Sequence, residues 1–346
     1  TPIKSSAASD VYKRQSFNTA TGWMEVQKRI RKSNNRERMI KILSYAAAVL
    51  VPVFFVGISL KYTTHDYFSN KSVLIAQPIL PGAAKAILTL DNGETINLNK
   101  ETADALQTIE GTNIQIDSTT LNYQLAQSTS VSPKPVYNKV EIPRGGEYAL
   151  VLSDGTKVHL NSMSSLRFPV AFTTGKREVE LQGEAYFEVS KTGQPFIVNV
   201  NGMQVEVLGT TFNISAYPDE EYQTTLVNGS VKVSAEKGES LILKPSQQAT
   251  IALGSNSIQV RTVDTSFYTS WVKGKINFKD QRLEDIMKTL SRWYDMNVVY
   301  ENEKLKNIRF GCNLNRYEEI TPFVKLLEKT EEVHVKIEGN TITFHN

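Results

Sequence analysis

Ala86-Ile87-Leu88-Thr89-Leu90-Asp91-Asn92-Gly93-Glu94-Thr95-Ile96-Asn97-Leu98-Asn99 reads as an alternating strand, an Asn-Gly turn and a second alternating strand. The same order returns 62 residues later in Tyr148-Ala149-Leu150-Val151-Leu152-Ser153-Asp154-Gly155-Thr156-Lys157-Val158-His159-Leu160-Asn161, with Asp-Gly at the turn. Apolar side chains at every second position turn one face toward a core. Asn-Gly or Asp-Gly between two such runs is a strong hairpin signal, because both central positions of the favoured two-residue turn need φ > 0. Two copies are too few for a long solenoid, so they predict a β element used twice.

Outward from this pair the β pattern continues. Between Val140 and about Val263 short apolar runs fall at 148–152, 156–160, 178–182, 184–190, 195–200, 203–208, 223–227, 230–234, 241–243, 248–252 and 258–263. Gly, Asn, Asp and Pro punctuate them, which predicts a sandwich, a barrel or a short β-helix. Residues 101–139 are poor in aromatics and rich in Thr, Ser, Asn and Gln, and their end, at Ser132-Pro133-Lys134-Pro135, reads as a linker. The period changes after Trp271. Lys275–Phe278 is a short strand and Asp280 a plausible N-cap, and Leu283, Ile286, Met287, Leu290, Trp293 and Tyr294 follow at helical spacing. Strands at Asn297–Tyr300 and Ile308–Phe310 precede a second helix carrying Ile320, Phe323, Val324, Leu326 and Leu327, with Thr321-Pro322 near its start. Val333–Ile337 and Thr341–Phe344 close a hairpin through Gly339-Asn340. The order βαββαββ predicts a small α+β domain with both helices on one face of a sheet. The expected fold class is therefore mainly β with a small α+β C-terminal domain.

The formal charge of +3 over 346 residues hides an asymmetry. Residues 1–41 carry ten Lys/Arg against three acids, or +7, which leaves −4 for the remaining residues. Ile42 to Leu60 is a run of 19 residues without a charge, ILSYAAAVLVPVFFVGISL. At about 1.5 Å per residue it nearly spans a hydrocarbon core of roughly 30 Å. Pro52 and Gly57 are tolerated in a spanning helix, and no small-x-small cleavage site directly follows Leu60. Lys28, Arg29, Arg31, Lys32, Arg36, Arg38 and Lys41 precede this run, while Lys61 and Lys71 follow it. The positive-inside rule then expects a cytoplasmic N-terminus, one pass through the inner membrane and an exported bulk at 61–346, with no direct role in nucleic-acid binding. With Cys312 the single cysteine, no intrachain disulfide is possible and the cores alone must stabilise the exported part. Residues 1–15 show no periodicity and read as a non-native extension.

No constellation for catalysis, metal or cofactor binding stands out. His65, His159, His334 and His345 form no close ligand pair in sequence, and His159 and His334 sit in alternating strands, expected to face out. Ser234-Ala235-Glu236-Lys237 matches Ser-x-x-Lys but falls in a turn, and Thr174-Gly175-Lys176 lacks the upstream glycine of a phosphate loop. Glu184 and Glu188 share a strand face and, with Glu178 and Glu180, are expected to be solvated. Cys312 reads as a packed small hydrophobe.

Gly183-Glu184-Ala185-Tyr186-Phe187-Glu188-Val189 carries a resemblance to the FecR family of membrane-bound regulators of extracytoplasmic-function (ECF) sigma factors. It extends through Pro195–Val198, Val207-Leu208-Gly209-Thr210-Thr211-Phe212-Asn213, Leu226–Val233 and Leu243-Lys244-Pro245, with Pro143-Arg144-Gly145-Gly146 upstream. The unit opening at Trp271-Val272-Lys273-Gly274 looks like the short secretin/TonB N-terminal-type domain that closes such proteins in Bacteroidetes. The resemblance implies a transmembrane anti-sigma factor that joins two partners. One is an ECF sigma factor in the cytoplasm, the other the signalling domain of an outer-membrane TonB-dependent receptor. It also implies a helical sigma-binding domain before the span, of which residues 16–41 would be a truncated remainder.

The expected organisation is 1–15 extension, 16–41 cytoplasmic tail, 42–60 transmembrane helix, 61–139 periplasmic hairpin and linker, 140–266 all-β FecR domain and 267–346 α+β domain. Tyr186, Phe187, Phe196 and Phe212 are expected core anchors. Small domains of this kind recruit partners by strand addition, so Ile276 and Phe278 on one strand and Thr341, Ile342 and Phe344 on another are candidate partner-binding edges. A rival reading is a membrane-tethered carbohydrate-binding or envelope-scaffold protein, with Tyr217, Tyr222, Tyr268 and Trp271 as its exposed aromatics.

Overall fold

The computed structural model describes Met24 and residues 78–99, 115–116, 119–123, 135–173 and 175–346. The 1–15 extension, the basic residues Lys28, Arg29, Arg31, Lys32, Arg36, Arg38 and Lys41, and the span expected at 42–60 lie outside the described residues. Among those described, no helix is long and apolar enough to cross a membrane.

The two hairpins quoted above are β1 (Ala83–Thr89) with β2 (Thr95–Asn99), and β6 (Gly146–Val151) with β7 (Lys157–Leu160). Between them lie β3 (Gln115–Ile116), β4 (Thr120–Asn122) and β5 (Tyr137–Glu141). Both turns use the same hydrogen bonds. Leu90 N–H reaches Glu94 O and Gly93 N–H reaches Leu90 O, and Leu152, Thr156 and Gly155 repeat the pattern, all at 2.9 Å. Only the glycines have positive φ, +85° and +84°. These are three-residue loops closed by a glycine bulge rather than the expected two-residue turns. Asn92 and Asp154 keep ordinary φ because their side chains accept the N–H two residues on, at 2.9 Å in each case. The first hairpin also does not stand apart from the following strands. β1 pairs antiparallel with β5 and parallel with β6, so the hairpin shares their core.

The chain continues through β8 (Ser165–Pro169), β9 (Arg177–Glu188), β10 (Phe196–Val200), β11 (Met203–Val207), β12 (Thr211–Ala216), β13 (Tyr222–Asn228), β14 (Val231–Ala235), β15 (Ser240–Leu243), β16 (Gln247–Ile251) and β17 (Gln259–Thr262). They form two sheets over one core, in the orders β2-β1-β5-β8-β9-β10-β11-β14-β15 and β3-β4-β6-β7-β9-β12-β13-β16-β17. β9 belongs to both. Its first half pairs with β8 and β10, its second half with β7 and β12. Phe187 is the pivot of the shared core, stacked on Phe212 at 5.1 Å and tilted against Phe196 at 6.1 Å.

Sequence reading splits β9 at Gly183, because glycine usually marks a break. Instead Gly183 sits at φ +86° and lets one strand cross from sheet to sheet. A Cβ there would lie 2.7 Å from Ser164 Cα and 2.8 Å from Met163 O. Gly183→Ala is therefore expected to cost at least about 1–3 kcal/mol from the backbone conformation alone, with the clash added. A lowered urea midpoint with an unchanged m-value would show it.

After β17 come α1 (Ser266–Thr269), a 3₁₀ turn at Ser270–Lys273, β18 (Lys275–Arg282), α2 (Leu283–Trp293), β19 (Asn297–Tyr300), β20 (Arg309–Asn315), α3 (Thr321–Glu328), β21 (His334–Glu338) and β22 (Thr341–His345). The βαββαββ order is present, but the strands form two small sheets, β18-β20 and β19-β22-β21, around a second core. Asp280 does not cap α2. It occupies a bulge in β18 at φ +50°, and Arg282 precedes the helix in extended conformation. β22 is the middle strand of its sheet, so Thr341, Ile342 and Phe344 are not at an edge. Ile342 and Phe344 are fully buried, and Ile276 and Phe278 also face the core. β18 has β20 as its one strand neighbour among the described residues.

Cys312 lies on β20 against this core, and burial pushes its thiol up to about 11. At pH 7 the native protein is expected to react with a disulfide reagent roughly 100-fold more slowly than the urea-unfolded chain, since only thiolate attacks. Stopped-flow thiol titration measures both rates.

Candidate functional site: the joint between sandwich and C-terminal region

Alternation along the second sheet leaves one row of side chains outside the core. It includes Glu147 on β6, His159 on β7, Glu184 and Tyr186 on β9, and Asn213 and Ser215 on β12. The register sets His159 and Asn213 on either side of Tyr186, and Ser215 beside Glu184. Tyr186 is thus no core anchor but stands on the outer face against His159, whereas Phe187, Phe196 and Phe212 are fully buried. His159 is half-buried too, and desolvation lowers its pKa, so it does not face open solvent as expected.

The C-terminal region sits on this face. Trp271, in the 3₁₀ turn, donates its indole N–H to Asn213 Oδ1 at 3.2 Å. Arg316, directly after β20, is 1% exposed and donates to Asn161 Oδ1 at 3.0 Å and to the Trp271 carbonyl at 3.1 Å. Its guanidinium lies 3.7 Å over the ring of Trp293 and 3.3 Å from the Glu147 carboxylate. Trp293 in turn donates its indole N–H to the Arg316 carbonyl. Arg292, at the end of α2, pairs with Glu220 and stacks on Tyr217 at 3.8 Å.

A loop of the sandwich caps the same helix end. The last carbonyls of a helix lack partners within it. Here Gly145 N–H takes the Arg292 carbonyl at 2.7 Å, and Arg144 donates to the carbonyls of Ser291 and Met296 at 3.1 and 2.6 Å. A positive group at a helix C-terminus also suits the helix dipole. Pro143-Arg144-Gly145-Gly146 is thereby a clamp on α2.

Glu184 lies beneath this joint. Its carboxylate accepts from Asn161 at 2.7 Å and Asn213 at 3.0 Å. Desolvation raises its pKa, and the two amides with Arg292 and Arg316 oppose that rise. Glu178, Glu180 and Glu188 are exposed as expected; Glu184 is not the solvated strand residue that alternation suggests. Above it opens a cleft of 780 Å³, lined by Glu184, Arg316, Trp271 and Arg292 and by the outer residues of β18 and α2. Of the four aromatics of a carbohydrate groove, Tyr217 and Trp271 are buried, at 4% and 7% exposure, while Tyr222 and Tyr268 are partly exposed.

Residues 138–232 match the family model described as FecR protein, and residues 275–344 match the one described as FecR, C-terminal. The chain belongs to the FecR family. The FecR match holds Arg144, Asn161, Glu184 and Asn213, and the FecR C-terminal match holds Arg292, Trp293 and Arg316. Trp271 lies between the two. Two crystal structures of a candidate anti-sigma factor from Parabacteroides distasonis ATCC 8503 are similar to this FecR chain. One is 26% identical with a TM-score of 0.56, covering 60% of this chain and 98% of its own. The other is 25% identical with a TM-score of 0.56, covering 61% and 99%. No curated protein matches. FecR-family proteins are regulators and not enzymes.

The sequence does not mark Arg292, on the expected helix, or Arg316, directly after a strand, since each looks like an ordinary surface cation. Nor does it show that β21 and β22 set His334 opposite His345, with rings 5.5 Å apart. No third ligand joins that pair among the described residues.

Proposed function

We propose that this protein is an anti-sigma factor that carries a signal through the inner membrane. Its N-terminal side holds an ECF sigma factor in the cytoplasm, residues 42–60 cross the bilayer, and the sandwich with its C-terminal region meets the signalling domain of a TonB-dependent receptor in the periplasm. The observation that carries this reading is the ordered pair of FecR and FecR C-terminal matches, joined through buried side chains from both. The chemistry agrees with it, since a signal carrier needs binding ends and a rigid body but no reacting groups. The test is co-purification of the detergent-solubilised full chain with each neighbouring sigma factor and receptor signalling domain. Capture of one of each supports the assignment. Failure with every receptor signalling domain would remove the receptor half, and the assignment as a whole falls if the chain preceded by the helical sigma-binding domain that the resemblance implies retains no sigma factor.

A further inference from the structure

An ionised carboxylate can only accept hydrogen bonds, whereas an asparagine amide has one accepting and one donating end. Glu184 takes the NH₂ of Asn161 on Oε2 and the NH₂ of Asn213 on Oε1. Each amide must therefore turn its oxygen away from Glu184. Those two oxygens are the acceptors that receive Arg316 and Trp271 from the C-terminal region. Asn161 is held a second time, because its oxygen also accepts the Ser162 N–H at 2.9 Å. Asn213 has Glu184 and Trp271 as its side-chain partners among the described residues.

We propose that Glu184 is the positioning residue of the joint, and that its carboxylate sets the polarity of an amide relay by which the sheet accepts the C-terminal region. The relay runs Glu184 to Asn213 to Trp271 on one arm, and Glu184 to Asn161 to Arg316 on the other. Positive charge from Arg292 and Arg316 faces the carboxylate, Glu220 and Glu147 pair with those arginines, and Tyr217 stacks on Arg292. The Trp271 arm depends on Glu184 most, since no other side chain among the described residues orients the Asn213 amide. This role is independent of the partners proposed above.

Glu184→Gln keeps size and shape but supplies one oxygen and one NH₂. The oxygen goes to Asn161, whose orientation Ser162 holds, so the new NH₂ faces Asn213 and turns that amide around. Its NH₂ then meets the Trp271 N–H, donor against donor. The chain has three tryptophans, so the full-length protein in detergent has a readable set of indole N–H resonances. Trp271→Phe identifies the Trp271 signal by its loss. In Glu184→Gln this signal is expected to shift and to exchange with solvent at least about tenfold faster, while that of Trp293 stays in place. Adding Asn213→Asp to Glu184→Gln restores the polarity, because the introduced amide donates to the introduced carboxylate, whose other oxygen accepts from Trp271. The double variant must return the exchange rate to the wild-type value. An unchanged Trp271 signal in Glu184→Gln overturns the proposal. If the single variant does not fold, a double variant that also fails to fold, or folds with fast exchange, overturns it equally.

Discussion

Arg177→Ala is expected to destabilise the sandwich by about 3–5 kcal/mol, the usual result of removing one partner from a buried ion pair. Arg177 is the first residue of β9, and its side chain is 1% exposed. It pairs with Asp154 at 2.6 Å and donates to the carbonyls of Ser190 and Gln194 at 2.9 and 2.6 Å. The substitution would leave the Asp154 carboxylate, 7% exposed, without a countercharge, and two carbonyls without a donor. Asp154 also caps the second hairpin turn through Thr156, so damage reaches the turn. Equilibrium urea unfolding measures the loss. Adding Asp154→Asn is expected to recover part of it, because the stranded charge goes while the turn cap remains. A loss below about 1 kcal/mol would show that the pair contributes no more than an exposed one.

Arg316→Ala is expected to cost about 3 kcal/mol, on the same grounds of stranded partners in a buried site. The effect should differ in kind. Arg316 contacts Asn161 and Glu147 from the sandwich and Trp271 and Trp293 from the C-terminal side, so its loss acts on the joint. Each side has its own core. Calorimetry is expected to show one unfolding transition for the wild type and two for the variant, the earlier from the C-terminal region. A single transition shifted as a whole would mean that the clamp at Arg144 and the Trp271 arm are enough to couple the two cores. Arg316→Lys would not rescue, since an ammonium cannot lie flat on Trp293 while serving the Asn161 oxygen and the Trp271 carbonyl.

Periodicity explains what was legible. Strands with one buried face betray themselves by alternation, which is why both hairpins and most strands from β9 to β17 could be placed. Ser165–Pro169 and Thr211–Ala216 escaped. The first carries Arg167 between its apolar residues, and the second places Asn213 where a loop residue would stand. Helices α2 and α3 were legible because one apolar stripe faces a single core. The expected edge Thr341–Phe344 was misplaced, because alternation tells which face of a strand is buried and not how many neighbours it has.

Glu184 marks the limit most clearly. Its place in an alternating strand determines that it points away from the sandwich core. Only the tertiary structure decides that another part of the chain, more than 80 residues on, lies over that outer face. Alternation is a local property with a period of two residues, whereas the covering of a face depends on which distant surface complements it. The hairpins, the helices, the α+β order and the two cores were therefore determined by the sequence itself. The joint with its buried arginines, the role of Pro143-Arg144-Gly145-Gly146 as a helix clamp, and the continuous path of β9 through Gly183 were decided by packing.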